Sequence, residues 1–333
     1  DTHFFPVFVY CPYDQYIYMS SGLHGSGSLK VLKSRFANSL VMQSTVMFSN
    51  TINSSYTDLC VYGKYLYLFF RNYHGNDAES QSLRSCIRFD VTQLDVSGAF
   101  SNAKYYTYTY DNPIARYYNP DSVVQPVSLY SGGQNIDKYG NLHKVIMWHD
   151  GYGNAVQYGR GISYMYSPIN SDGYVGEIWY NAQGHTAARI FDQFSTEISK
   201  PARFMKQDNY IGGQLGRPTA NPFVIYTATQ TEDLTKANYR YFGNVGSIFF
   251  HPTENFKNDR GDVLQRPYFT FISTDSAESI YAECRVYMAT FNTSDGAHSL
   301  TATTPYKMGG WLVHTISHLS NGQWQKGWKN RHV

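Results

Sequence analysis

Apolar and polar positions alternate along this chain in short runs, and no stretch keeps the 3.6-residue period of an amphipathic helix. Runs rich in Val, Ile, Tyr and Phe predict strands at Val7–Tyr10, Tyr16–Ser20, Leu59–Val61, Tyr65–Phe70, Ser85–Phe89, Ala103–Tyr110 and Lys144–Trp148. The same pattern predicts Gly161–Tyr166, Gly176–Tyr180, Phe223–Thr227, Gly246–Phe250, Tyr268–Ser273, Ser279–Ala289 and Gly310–Ile316. Turn residues stand between them, as in Tyr139-Gly-Asn141, Ser171-Asp-Gly173, Gly212-Gly213 and Asn321-Gly322. Many short strands with Gly, Asn and Asp turns define an all-β class: a sandwich, a barrel or a propeller.

A weak repeat favours the propeller. A turn followed by a strand recurs as Asp14-Gln-Tyr-Ile-Tyr18, Tyr62-Gly-Lys-Tyr-Leu-Tyr67 and Tyr139-Gly-Asn-Leu-His143. The third copy runs on through Ile162 and Tyr164 to Ser171-Asp-Gly173 and Trp179, a degenerate form of the polar hairpin that staples propeller blades. Blades of about 40–50 residues divide a chain of this length into roughly seven. No break in composition marks a second domain, so residues 1–333 are read as a single all-β, seven-bladed β-propeller.

Composition narrows the function. The chain carries 31 Tyr, 20 Phe and 5 Trp, residues that suit half-buried pleated surfaces and, in the case of Tyr, sugar clefts. The net charge is +2 and no Lys/Arg run is present, which speaks against nucleic-acid binding. No apolar stretch reaches the length of a membrane span. The low charge content and the start at Asp1 rather than Met fit a trimmed, secreted protein, expected to be a monomer. Four cysteines, Cys11, Cys60, Cys86 and Cys284, show no CxxC spacing, and both disulfides and buried thiols remain open. Cys284 shares the last third of the chain with His251, His314 and His318. These four form a candidate structural metal set, for zinc or calcium, set against an ordinary packing role.

Several groups near the start of the chain offer chemistry: Asp1-x-His3-x-x-Pro6, Gly22-x-His24 followed by Leu29-Lys-x-Leu-Lys-Ser34, Ser55-Tyr56, Phe69-Phe-Arg71 and Gly140-x-Leu-His143. In this order and spacing they resemble the BNR-repeat family that contains the propeller ulvan lyases, polysaccharide lyase families 24 and 25. The resemblance runs from Asp1 to about Tyr180. It implies a seven-bladed propeller with its site in a canyon, and β-elimination on a sulfated, uronate-containing polysaccharide without a cofactor for the chemistry. It places the two active-site histidines on His3 and His24, the catalytic tyrosine on Tyr56 and the carboxylate-binding arginine on Arg71. His143 falls on a histidine of secondary role. The sequence departs from the family pattern in opening on the first motif and in having Thr57-Asp58 where proline is common.

The residue types agree with that chemistry. An arginine fork holds a carboxylate bidentately and stays charged, which stabilises an enolate-like intermediate. Either histidine can take a proton near neutral pH, and a tyrosine beside a cation can serve as acid or as both. Asn72, His74, Arg116, His143, Arg160 and Arg217 are further substrate-binding candidates. Two other readings compete. A sialidase would share the propeller but needs a Glu-activated Tyr and three clamping arginines, and Glu is scarce around Tyr56. A non-catalytic carbohydrate-binding propeller, of adhesin or lectin type, would use its tyrosines for stacking alone.

Overall fold

The computed structural model describes residues 6–21, 28–51, 54–72, 83–106, 116–118, 127–150, 158–175, 179–184, 203–205, 224–227, 242–245, 247–274, 284–291 and 311–319. Every regular element among them is a β-strand. The strands are β1 (Val7–Cys11), β2 (Tyr16–Ser21), β3 (Leu29–Ser34), β4 (Met42–Asn50), β5 (Ser54–Tyr62), β6 (Tyr65–Asn72), β7 (Leu83–Asp90), β8 (Lys104–Tyr106), β9 (Arg116–Tyr118) and β10 (Val127–Ile136). They continue as β11 (Asn141–Asp150), β12 (Tyr158–Pro168), β13 (Arg203–Met205), β14 (Val224–Thr227), β15 (Phe242–Val245), β16 (Phe249–Lys257), β17 (Val263–Thr274), β18 (Cys284–Phe291) and β19 (Trp311–Leu319).

Four antiparallel sheets dominate, ordered β1-β2-β3-β4, β5-β6-β7-β8, β10-β11-β12-β14 and β15-β17-β18-β19, with β16 also paired to β17. Each is a meander of the kind that makes a propeller blade. Among the described residues a two-stranded sheet, β13 with β9, stands beside these four, and none of the sheets closes on itself. The first two sheets occupy Val7–Asn50 and Ser54–Tyr106, but the third runs from Val127 to Thr227 and the fourth from Phe242 to Leu319. Among the described residues the last two sheets therefore take up more chain than the first two.

The chain divides into two compact units, one of Asp1–Arg116 with Ser171–Tyr174, the other of Tyr117–Asn170 with Val175–Val333. In the first unit β6 is buried on both faces, as its unbroken apolar run requires. Leu66, Leu68 and Phe70 join Tyr18, Val31, Ile87 and Phe89 in one core, while Tyr67 and Phe69 are buried on the other side. Each such side chain contributes about 1.5–3 kcal/mol by leaving water. The hairpin at Ser171–Tyr174 is held through its carbonyls. The Tyr67 hydroxyl donates to Gly173 O at 2.7 Å and Arg88 Nη1 donates to Asp172 O. The Arg88 guanidinium lies 4.7 Å from the Tyr65 ring and 4.2 Å from the Tyr174 ring, a cation between two π faces. Gly173 has φ +74°, and a Cβ there would stand 2.5 Å from Tyr65 Cε2, so both backbone and space exclude a side chain.

In the second unit the core gathers Val145, Ile162, Tyr164, Tyr166, Phe269, Phe271 and Tyr287 from β11, β12, β17 and β18. One turn design recurs in both units. In Asp95–Ala99, Asp137–Asn141 and Asn258–Asp262 the first residue's N–H donates to the fifth residue's carbonyl, at 2.8, 2.9 and 3.1 Å. The first residue's side-chain Oδ1 accepts the fifth residue's N–H at 3.0, 2.8 and 3.0 Å. The fourth residue is glycine with positive φ in all three, the left-handed step that lets the loop close. The weak sequence repeat has a related cause: its second position is left-handed in each copy, Gln15 at +64°, Gly63 at +56° and Gly140 at +81°.

Candidate functional site

β5 is irregular where it passes the end of β6. Ser55 pairs with Arg71 and Asp58 with Phe69, so Tyr56 and Thr57 together oppose one residue, Phe70. This is a β-bulge, a device that re-aims a side chain and concentrates beside active sites. Tyr56 carries it with φ +53°, half-buried. For a bulky L-residue the left-handed region costs about 1–2 kcal/mol, and strain of this kind collects at functional positions. A direct test follows. Tyr56→Gly is expected to be about 1 kcal/mol more stable than Tyr56→Ala, the reverse of the order at an ordinary strand position. Urea unfolding of the two variants reads the difference, and alanine equal or superior to glycine would remove the strain.

The register builds the surroundings of Tyr56 rung by rung. Ser55, Arg71 and Arg84 lie opposite one another across β5, β6 and β7. The next rung outward is Ser54, Asn72 and Leu83. Ser54 is 1% exposed and its Oγ has no hydrogen-bond partner, an exception in a protein interior. Of the expected catalytic set the structure thus brings Tyr56 and Arg71 onto neighbouring positions of one sheet end, with Asn72 beside them. His3, His24, His74 and Arg217 lie outside the described residues. Arg116 opens β9, and Arg160 falls at a register shift in β12, where Gly159 pairs with His149 and Gly161 with Trp148. The sequence reading passed over Arg84 and Ser54. Extending the Ser85–Phe89 run by one residue would have placed Arg84 on a strand.

His143, expected to touch substrate, has no exposed surface. Its Nε2 lies 3.1 Å from Asp137 Oδ2 and its Nδ1 2.6 Å from the Tyr164 hydroxyl, so both ring nitrogens are engaged inside the core. With Asp137 ionised, Nε2 donates to it and Nδ1 accepts from Tyr164, whose hydroxyl burial keeps protonated. The geometry makes His143 a structural group and removes it from the substrate set. Asp137 anchors this network. It also accepts hydrogen bonds from Tyr139 N at 2.9 Å, Asn141 N at 2.8 Å and Gln265 N at 3.0 Å. Burial pushes the Asp137 carboxyl up, but the hydrogen bonds from His143 and Asn141 outweigh it and hold it below the ordinary carboxylate value.

A depressed carboxyl sets the sign of a pH effect. The stability Asp137 contributes is complete above the unfolded value of about pH 4 and is lost as pH falls through its lower folded value. Urea midpoints measured from pH 7 down to pH 2 are expected to fall more steeply for the wild type than for Asp137→Asn. Parallel curves would show that Asp137 carries no such linkage.

Among the described residues no group of three or more His, Cys, Asp and Glu is placed to hold a metal ion. His251, of the expected metal set, is exposed on β16 and shares a 3.2 Å contact with the Thr253 hydroxyl. The register sets Cys284 opposite Leu319, His318 opposite Arg285 and His314 opposite Met288, with a shift between Val286 and Tyr287. The four-residue spacing of the two histidines therefore spans a bulge rather than a regular strand. Cys11, Cys60 and Cys86 are all buried, and burial, first among its causes, pushes the Cys11 thiol up.

No family model matches the sequence, and no curated protein matches it. Solved structures give distant likenesses. An ulvan lyase of polysaccharide lyase family PL25 aligns at 13% identity and a TM-score of 0.48, covering 89% of this chain and 57% of that one. This chain thus spans little more than half of the lyase's length. An α-L-arabinanase of Cellvibrio cellulosa, complexed with arabinohexaose, aligns at 8% identity and a TM-score of 0.41, covering 89% and 76%. The extracellular domains 1–2 of Drosophila Semaphorin 1b align at 11% identity and a TM-score of 0.36, covering 95% and 57%.

Proposed function

We propose that this chain is a carbohydrate-active β-propeller that cleaves a uronate-containing acidic polysaccharide by β-elimination, with its site at the Tyr56 end of the β5–β6–β7 sheet. The observation that carries the reading is the conformation of Tyr56: a tyrosine held in the left-handed region on a bulge, one position along the strand from the rung of Arg71. The motif resemblance over the first half of the chain points to the same two residues. In the reaction, a base takes the proton on C5 of the uronate and a C4–C5 double bond forms as the C4–O bond breaks. An acid then protonates the leaving oxygen. Arg71 neutralises the uronate carboxylate, on which negative charge builds as the proton departs. Tyr56 serves as acid, or as both acid and base beside the arginine, and His3 or His24 supplies the base otherwise.

The blade count of seven, closure of a ring, secretion and a monomeric state belong to the same proposal. Supporting it are the four meander sheets and a sequence with few charges and many aromatics. The test is an ultraviolet assay on ulvan. Each cleavage creates an unsaturated uronate, so absorbance is expected to rise with time. A flat trace with retained binding would turn the protein into a carbohydrate-binding module, and release of sialic acid from a model glycoside would make it a sialidase.

A further inference from the structure

Two buried serines of the first unit have no hydrogen-bond partner. Ser20 on β2 has no exposed surface, Ser54 on β5 is 1% exposed, and the Oγ of each is unsatisfied. An orphaned hydroxyl is an exception inside a protein, and an internal water is among the few things that account for one. Ser20 shares a face of β2 with Tyr18, which lies in the core common to the first two sheets. Its cross-strand neighbours are Val7 and Val31, which offer no polar side chain. On β5, Ser54 pairs with Asn72 and Leu59 with Leu68. Those partners are four positions apart on β6, a strand that pairs with β7 without a register shift. Ser54 therefore shares the face of Leu59, a member of the same core. β1 and β2 both pack against β5. Cys11 Sγ, at the end of β1, lies 4.0 Å from Gly63 O in the β5–β6 turn. Ser20 pairs with Val7 at the start of β1, and Ser54 opens β5. Both hydroxyls thus stand at one end of one core, away from that turn and at the end of Tyr56.

We propose that Ser20 and Ser54 are positioning residues that share one buried water site, which ties the end of β2 to the bulge of Tyr56. A buried water makes about three hydrogen bonds, so one molecule satisfies both hydroxyls and has capacity left for a backbone group. Each hydroxyl can donate to it or accept from it. Leaving both unsatisfied in an apolar core costs more than immobilising one water. The functional weight comes from what the two strands carry. Tyr56 keeps a strained backbone, which persists only where its surroundings over-determine it, and Ser54 stands two residues before it. β2 ends at Ser21, three residues before His24. The water site stands without the lyase reading, and its effect on turnover rests on it.

The experiment compares melting temperatures of the full chain as wild type, Ser20→Ala, Ser54→Ala and the double variant. With one water bridging the pair, each single change strands the water and the remaining hydroxyl. Each is therefore expected to lower Tm by about 2–4 °C, and the double variant by no more than the larger single effect. Hydroxyls that share no water predict the opposite sign, because deleting an unsatisfied buried polar atom removes a cost. A raised Tm in either single variant, or two losses that add in the double variant, would overturn the shared site. Crystallographic density is expected to show one water within about 3 Å of both Oγ atoms. A dry core between them, or a separate water on each, would also overturn it. On ulvan, at a temperature where every variant is folded, each single variant is expected to lower kcat about 10-fold with KM within about 2-fold. An unchanged kcat would overturn the positioning role. A wild type that yields no unsaturated product would refute the lyase reading, and the melting cycle and the density would still decide the water site.

Discussion

Replacing Arg71 by alanine is expected to lower kcat/KM on ulvan about 10³-fold, equivalent to about 4 kcal/mol of transition-state stabilisation. The size follows from where charge develops. The uronate carboxylate is already negative before the proton leaves, and abstraction at C5 spreads a second charge onto it. A fixed guanidinium meets that second charge more strongly than the first, so its loss falls mainly on kcat rather than on KM. Fold should survive, because Arg71 is the last residue but one of β6, beyond the buried run Leu66–Phe70. Tyr56→Phe is the companion variant. It keeps the ring and the bulge and deletes only the hydroxyl, and a loss of about 10²–10⁴-fold in kcat is expected for a proton-transferring group. Steady-state assays on both variants, with melting curves as the control, decide the matter. Rates near wild type for Arg71→Ala would remove the neutralising role. Retained rates for Tyr56→Phe alone would pass proton transfer to the histidines.

The largest expected effect on stability comes from Asp137→Ala. This carboxylate is 1% exposed and accepts hydrogen bonds from Tyr139, Asn141, His143 and Gln265. Its removal leaves three backbone N–H groups and a fully buried imidazole without their acceptor, at a cost of about 3–5 kcal/mol. Asp137→Asn keeps a side-chain oxygen for the turn and should cost distinctly less. Equilibrium urea unfolding of the two variants gives both numbers. A cost below about 1 kcal/mol for the alanine variant would mean that water replaces the lost acceptor.

The strands were readable where burial is simple. Tyr65–Phe70 is apolar throughout, and β6 is buried on both faces. β10 escaped because Ser131-Gly-Gly133 has the composition of a turn, yet the chain runs straight through it with a register shift between Ser131 and Gln134. β4 escaped because Met42-Gln-Ser-Thr is mostly polar. For the site, Tyr56 and Arg71 came from a motif resemblance, and only backbone pairing shows them to be neighbours. The left-handed state of Tyr56 leaves no local trace, since nothing in Ser-Tyr-Thr marks it as Gly would. Arg84 depends on the register of β7 against β6, which a pattern cannot supply. In the same way, Gly140-Asn141 announces a turn, but the burial of Asp137 depends on Gln265, far along the chain.

The three self-closing Asx-x-x-Gly loops bear on how the molecule reaches its native state. A bend whose first residue ties both its own carbonyl and its own side chain to groups three and four positions ahead needs no distant partner to hold its shape. The hairpin flanking Asp137–Asn141 can therefore zip from its tip, at the small entropic cost of closing a few residues, before its sheet meets any neighbour. Assembly from such pre-formed pairs keeps sequence-distant contacts for the last step, where slow and aggregation-prone β-topologies stand to gain most.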